Sequence, residues 1–262
     1  MSQGKADFIA LGRPLIADPD WVEKVRRGEP IRRCLACNTC INEMRGGARI
    51  GCVVNGAAGR ETVFAAPQTP RSERIAVIGA GPAGLTYASL VAEGNHVTVF
   101  EKDAQAGGAF QLAAKAPLFQ EVVTDERSFA RYIANLVAAC DAKGVKFRFS
   151  TEVKSAELLG FDLIVIASGV DYRFGLGPLA HCLLKTGMAR APGLARLFTS
   201  PAMRNWFYYQ ARRGTAPRLR HLARPGQRVI VIGDAARAGK SKEAIAGAFE
   251  AALLAGGARD SV

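Results

Sequence analysis

Arg74-Ile75-Ala76-Val77-Ile78-Gly79-Ala80-Gly81-Pro82-Ala83-Gly84 is the stretch that decides the fold. Its first five residues read as a strand buried on both faces. They run directly into three glycines at G-x-G-x-x-G spacing, and a helix follows to about Gly94. Gly79 permits the tight turn, Gly81 lets a pyrophosphate approach the backbone, and Gly84 lets helix and strand pack closely. The helix start, with Pro82 and Ala83 in its first turn, offers unpaired N–H groups and a positive dipole end to phosphates. A second strand from His96 closes at Glu101, 17 residues after Gly84. A carboxylate there can accept both hydroxyls of an adenosine ribose and repels a 2′-phosphate, which disfavours NADP. The spacing together with its strand–helix context predicts a dinucleotide-binding α/β fold.

The α/β rhythm continues along the chain. A helix is predicted near Ser128 to Lys143, with strands near Lys146 to Phe149 and Asp162 to Ala167. A last strand, Arg228 to Ile232, leads through Gly233-Asp234 to a helix covering Glu243 to Leu254. Ligands of open α/β sheets bind at the C-terminal edge of the strands, where Asp234 falls. In FAD enzymes with two-dinucleotide-binding folds, a Gly-Asp at this place meets the ribityl and pyrophosphate region. The alternative is an N-cap for the next helix. Gly233 to Ser241 superficially resembles a P-loop, but five residues separate its glycines instead of four. Asp234 would also face the phosphate, so an NTPase is set aside.

The chain has 262 residues, 49% hydrophobic and 22% charged, enough for one large domain or two modest ones. Its longest apolar runs, such as Leu163 to Ala167, are too short to span a membrane. Asp7 and Arg13 interrupt the apolar stretch near the start, so no secretory signal is read and a cytoplasmic protein is expected. Of the net charge of +12, the segment 173–228 supplies +11, with eleven Lys/Arg and no Asp or Glu. Inside it, Thr199-Ser200-Pro201 reads as a helix start and Gly214 as a stop. Met203, Trp206 and Phe207 would share one face, with Arg204, Arg212 and Arg213 elsewhere on the surface. Such a basic helix suits an acidic partner, for instance an acidic electron carrier. Aromatic rings among arginines also suit single-stranded nucleic acid, but the rest of the chain is nearly balanced, and nucleic acid or membrane ranks lower.

Near the start, Asp7 to Leu11 reads as a short buried strand ending at Gly12-Arg13-Pro14. Asp18 reads as an N-cap with Pro19 at the first helical position, and Gly28 as the stop. Residues 56–72 read as a linker. Between them lies Cys34-x2-Cys37-x2-Cys40-x11-Cys52. Clustering without a secretory context favours metal ligation over disulfides. Zinc sites usually use two separated C-x-x-C knuckles, whereas three close cysteines and a remote fourth fit a [4Fe–4S] cluster better. The neighbouring nucleotide fingerprint adds weight, since flavin and cluster make an electron relay. Arg32 and Arg33 could raise a cluster's potential, or simply be solvated. Cys140 reads as a buried structural thiol.

These features together resemble the trimethylamine dehydrogenase and 2,4-dienoyl-CoA reductase family of iron–sulfur flavoproteins. The resemblance is carried by the run from Asp7 to Pro19, Ile31-Arg32 to Cys34, Cys37-Asn38, Cys52 to Asn55 and the Gly79 fingerprint. Further on it is carried by Gly107-Gly108, Gln111 to Ala113, Ala167 to Gly169, Ile232 to Asp234 and Gly239 to Leu253. It implies an FAD (or an ADP in its place) held by Gly79, Gly81, Pro82, Ala83, Gly84, Glu101, Lys102, Gly108, Gln111, Ala167, Gly169, Gly233 and Asp234. It implies a [4Fe–4S] cluster on Cys34, Cys37, Cys40 and Cys52. Family members begin with an FMN-binding β/α barrel, and Gly12 and Arg13 resemble the residues that meet the FMN phosphate.

The chain departs from the family pattern in three places. It starts at what reads as the last barrel strand, so FMN is expected only through a partner barrel chain. No second glycine fingerprint stands between Gly169 and Arg228, where the family keeps its NAD(P)-binding subdomain. The second and third cysteines are one residue closer than in many members, and Gly56 stands where those members have Pro. The expected architecture is a Rossmann-like, three-layer α/β domain preceded by a barrel remnant and a cluster-binding segment. Its divisions are 1–66 (barrel end and cluster), 67–171 with 226–262 (FAD-binding), and 172–225 (basic helical insert). The expected role is an electron-transfer module relaying electrons between FAD and the cluster. A self-contained FAD-dependent NAD(P)H oxidoreductase is the alternative, and a basic binding protein with a structural metal site is the non-enzyme reading.

Overall fold

The computed structural model describes residues 4, 7–64, 72–113, 115, 126–197 and 200–253. The strands are β1 Arg74–Ile78, β2 His96–Phe100, β3 Lys146–Arg148, β4 Leu163–Ile166, β5 Val170–Tyr172, β6 Arg212–Gly214 and β7 Arg228–Val231. The helices are α1 Arg13–Ala17, α2 Trp21–Arg27, α3 Thr39–Arg45, α4 Pro82–Val91, α5 Ala109–Ala113, α6 Glu126–Asp141, α7 Leu176–Lys185, α8 Pro192–Leu197, α9 Pro201–Asn205, α10 Ala216–Leu219 and α11 Ser241–Leu253. Short 3-10 and π-helical turns link them.

Five strands form one parallel sheet in the order β3-β2-β1-β4-β7. Because neighbouring side chains alternate across a strand, β1 sends Ile75 and Val77 to one face and Ala76 and Ile78 to the other. The first face is covered by α4, α6 and α11, with Leu85, Phe129, Ile133 and Ile245 buried there. The second is covered by residues 153–161 and α10, through Val153, Leu158, Phe161 and Ala216. This doubly covered parallel sheet is the expected α/β Rossmann-like architecture. Cys140 is fully buried on α6, as expected, and its thiol lies 3.4 Å from the Leu85 carbonyl.

Four expectations are corrected. Residues 7–11 form no strand, and Phe8 and Ile9 are 92% and 65% exposed. A strand exists by pairing, and no described strand lies beside them. The N-cap of α2 is Asp20, not Asp18. The buried Asp18 carboxylate instead accepts from Lys24 Nζ at 2.8 Å and from the Arg32 N–H at 2.8 Å, pinning the approach to the cysteines. Gly28 does end α2 in the left-handed conformation. Residues 56–64, read as linker, pack on α11, where Phe64 meets Phe249 edge-on at 5.9 Å. Residues 65–71 of that stretch lie outside the described residues.

The fourth correction concerns the basic helix. It starts as expected with Ser200 before Pro201, and Thr199 lies outside the described residues. It stops at Asn205, passes through a π-helical turn at Trp206–Gln210, and enters β6. Strand pairing decides this: β6 runs antiparallel to β5, Arg212 opposite Tyr172 and Gly214 opposite Val170. Arg212 is thereby buried instead of standing on the surface.

Candidate functional site

The strand order reverses direction from β1, and β1 and β4 carry their following loops apart. Such a switch point opens a crevice beyond the strands' carboxyl ends. A cleft of about 1140 Å³ lies there, larger than the roughly 300–1,000 Å³ of typical small-molecule sites. Its wall includes Gly79, Gly81, Pro82 and Ala83 from the loop after β1, and Glu101 and Lys102 after β2. Gly108 and Gln111 at α5, Ala167 and Gly169 after β4, and Asp234 after β7 complete the set expected at a nucleotide. Of the thirteen residues expected there, Gly84 and Gly233 do not line the cleft but sit behind it.

Close packing explains the glycines. Gly79 has φ +109°, and a Cβ on it would meet the Ala167 carbonyl oxygen at 2.6 Å. A Cβ on Gly84 would lie 2.0 Å from the Gly79 oxygen. A Cβ on Gly81, by contrast, would meet nothing within 4 Å, so the backbone there is open to a ligand. Gly81 caps α4 in an extended conformation with no side-chain cap, leaving the first N–H groups of the helix to the cleft.

Two carboxylates face this space differently. Glu101 is buried and accepts from the Ala80 N–H at 2.7 Å and from the Asp103 N–H at 3.0 Å. It therefore ties the glycine loop to the end of β2, with lone pairs left for a diol. Asp234 lies in a 3-10 turn, Gly233–Ala235, and its Oδ2 is 3.6 Å from Arg212 Nη1. Its Oδ1 is buried and has no hydrogen-bond partner. Burial pushes the Asp234 carboxyl up to about 6, and Arg212 opposes that shift. An acid held partly desolvated in a cleft is a common mark of a working site.

The four cysteines line one small cavity together with Arg13, Ile16, Leu35, Asn38, Val53 and Val54. The chain bends around it with Ala36 and Asn38 in the left-handed region. Burial pushes the Cys52 thiol up to about 11 and raises Cys40 as well, with the other cysteines adding to both shifts. Four sulfurs in an apolar wall suit thiolate ligation, because a cation there would offset the charge the wall disfavours. Among the described residues, no three His, Cys, Asp or Glu side chains form a group that could hold a single metal ion. Arg13 turns toward this site and donates to Asn38 Oδ1.

The cysteine segment is seated on the nucleotide domain. Asn42, two residues beyond Cys40 on α3, lines the large cleft. Glu43 beside it pairs with Lys242 on α11. On α6, burial pushes the Tyr132 hydroxyl up, and the nearby Arg32 charge opposes that shift.

Sequence reasoning did not anticipate Tyr172, His181, Asn205, Arg212 and Thr215, which come from the 172–225 region or its edge and line the same cleft. Thr215 Oγ1 donates to the Gly169 carbonyl at 2.9 Å and lies 2.7 Å from Ser168 Oγ. The one available signal was the absence of acids around Arg212. Any buried partner for it had to come from another segment. The basic charge is also partly matched within the chain: Arg190 meets Glu126, Arg218 meets Asp171, and Arg228 meets Glu73.

Comparison with known proteins places these features in context. A family model described as an NAD(P)-binding Rossmann-like domain matches residues 77–118. A metal reductase of Desulforamulus reducens is 36% identical over 179 residues, covering 64% of this chain and 26% of that protein. An NADH oxidase of Thermoanaerobacter brockii is 40% identical over 179 residues, covering 65% of this chain and 26% of that protein. A solved 2-naphthoyl-CoA reductase complex superposes with a TM-score of 0.78 at 21% identity, over 96% of this chain and 51% of that one, a likeness of fold. All three are oxidoreductases by name, and this chain spans about a quarter of the length of the two curated relatives it matches.

Proposed function

We propose that the chain is an oxidoreductase module for electron transfer, with FAD in the cleft and a [4Fe–4S] cluster on Cys34, Cys37, Cys40 and Cys52. The observation that carries this reading is adjacency. The cleft that begins at the glycine loop extends to Asn42, on the helix that bears Cys40. When bound, a flavin supplies exchange between two-electron and one-electron chemistry, and a cluster supplies one-electron transfer. The start of α4 and the open backbone at Gly81 bind the pyrophosphate, and Glu101 orients the ribose diol. Asp234 accepts from the hydroxyls farther along the ligand. Lys102, Gly108, Gln111, Ala167 and Gly169 line the same cleft and would contact the rest of the dinucleotide. An ADP would use the first part of this set alone. The apolar wall of Ile16, Leu35, Val53 and Val54 encloses the buried Cys37 and Cys40, while Cys34 and Cys52 stay partly exposed.

The exchange partner in this reading is an FMN-binding barrel, whose FMN phosphate Gly12 and Arg13 would meet if Arg13 left Asn38. An acidic electron carrier at the exposed part of the basic segment is a second proposed partner. Among the described residues, no helix is long and apolar enough to cross a membrane.

A second reading, a self-contained FAD-dependent NAD(P)H oxidoreductase, is favoured by the volume of the cleft and by the name of the Thermoanaerobacter brockii relative. One experiment separates them. Protein purified without oxygen is assayed for iron, sulfide and released nucleotide, then mixed with NADH. About four irons with FAD, and no bleaching of the flavin by NADH, support the relay. Rapid bleaching supports the second reading. Zinc in place of iron overturns the relay, and absence of flavin overturns both.

A further inference from the structure

Arg212 is the point at which the basic segment enters the nucleotide cleft. It stands on β6, is 8% exposed, and lines the cleft wall. Its Nη2 donates to the Gly239 carbonyl at 2.6 Å, and its Nη1 faces Asp234 Oδ2 at 3.6 Å. It therefore joins three separate stretches: β6, the turn after β7, and the loop that leads into α11. The seating is tight. A Cβ on Gly214, the last residue of β6, would meet the Ala235 carbonyl oxygen at 2.1 Å. Replacing this arginine leaves a partly buried carboxylate without its counter-charge, a costly state in the cleft wall. Asp234 lines the cleft with about a fifth of its side chain exposed, so part of the carboxylate is open to a donor outside the chain.

We propose that Arg212 is a positioning residue for the cleft, holding Asp234 as an ionised acceptor for the polyol arm of a bound flavin dinucleotide. The basic segment thus acts as the third wall of the nucleotide site. The proposal rests on the reading that FAD occupies the cleft. Burial raises the Asp234 carboxyl, Arg212 and then the Gly239 N–H lower it, and Glu243 on α11 raises it. Tyr172 on β5, Tyr209 in the π-helical turn and Arg237 lie around this cluster, and Lys240 and Arg218 line the same cleft. Binding that needs the carboxylate strengthens as pH rises through about 6, the point to which burial carries Asp234. Without Arg212 that midpoint moves to higher pH.

The test uses the full chain stripped of nucleotide, titrated with FAD and with ADP between pH 5 and pH 8. ADP has the pyrophosphate and ribose but lacks the polyol. Arg212→Met is expected to weaken FAD binding at neutral pH by about tenfold to a hundredfold, the loss of one charge-assisted contact. ADP binding should change by less than about threefold. Arg212→Lys should restore part of the FAD affinity, and Asp234→Asn should flatten its pH dependence. Equal losses of FAD and ADP, or unchanged FAD binding in Arg212→Met, overturn the proposal. If Arg212→Met does not fold, the FAD-to-ADP ratio in Arg212→Lys decides in the same way. Failure of the unaltered chain to bind either nucleotide overturns the cleft assignment itself, a different result.

Discussion

Strand β4 buries all four of its residues, whereas the segment that begins six residues after it exposes Phe174, Leu179 and Met188. The two regions share one cleft and are held by different physics. The sheet and its covering helices bury continuous apolar surface, worth about 25 cal/mol per Å². The segment 172–225 consists of short helices and turns; α10 packs on the sheet through Ala216, and the rest is fastened by a two-stranded pairing and by ion pairs to the body. Exposed ion pairs contribute little, about 0–1 kcal/mol each. The sheet therefore sets most of the stability, and the segment adds the apolar cover of α10 and Arg212, the cation that it buries among the described residues. Elements attached in this way are drawn from the low-stability end of a protein and suit the lining of a binding cleft.

Four substitutions can break or sharpen that contrast. The largest effect is expected in the packed region. Gly84→Val puts a side chain against the Gly79 carbonyl, and chemical denaturation should show a loss of at least about 3 kcal/mol, or no folded protein. A stability within 1 kcal/mol of the original would mean that the loop and helix are not locked together.

Next comes the junction between the regions. The Asp234 carboxyl titrates near 6 in the folded chain against an ordinary 3.8. The native state therefore holds this proton more tightly than the unfolded one. Its favourable contribution is complete below about pH 4 and is lost as pH rises through 6. Asp234→Asn removes this dependence. Between pH 4 and pH 7, the Asn variant should gain on the original by on the order of 2–3 kcal/mol, read from paired urea curves. Parallel curves would show that Asp234 is not desolvated, and would weaken the case for Arg212 as its counter-charge.

Smaller effects belong to exposed positions on both regions. Glu73→Gln breaks a pair with Arg228, which is half exposed, and should shift the unfolding free energy by no more than about 1 kcal/mol. Leu179→Ser on α7, more than half exposed, should change stability by about 0.5 kcal/mol or less in a thermal melt. A large loss at Leu179 would show that something covers this face in solution.

Legibility in the sequence followed the same division. The run 74–78 is apolar throughout because a parallel strand covered on both faces has no wet side, and periodicity reads that directly. The glycine spacing was equally legible, because a Cβ at Gly79 or Gly84 has no space. Of the thirteen nucleotide-site residues expected, those on these loops line the cleft or stand directly behind it. The residues contributed by the segment, His181, Asn205 and Arg212, were illegible. They reach the cleft through a fold-back whose anchor, the β5–β6 pair, is only three residues long on each side. Residues 7–11 failed in the opposite sense. Their composition suits a strand, but a strand needs a neighbour that composition does not supply.

What the sequence determined by itself is local: the strand–turn–helix at Arg74 to Gly84, the acid ending β2, the grouping of four cysteines within 19 residues, and the acid-free stretch 173–228. Each depends on spacing along the chain, and backbone sterics or ligand chemistry reads spacing without further help. The tertiary structure alone decided that the cysteine helix adjoins the nucleotide cleft. It alone decided that residues 56–64 pack on α11 and that Arg212 lies buried beside Asp234, 22 positions away. These depend on which surfaces meet when the sheet is covered. Burial turns a surface arginine and an ordinary aspartate into a matched pair because neither charge can remain in the low-dielectric wall without the other.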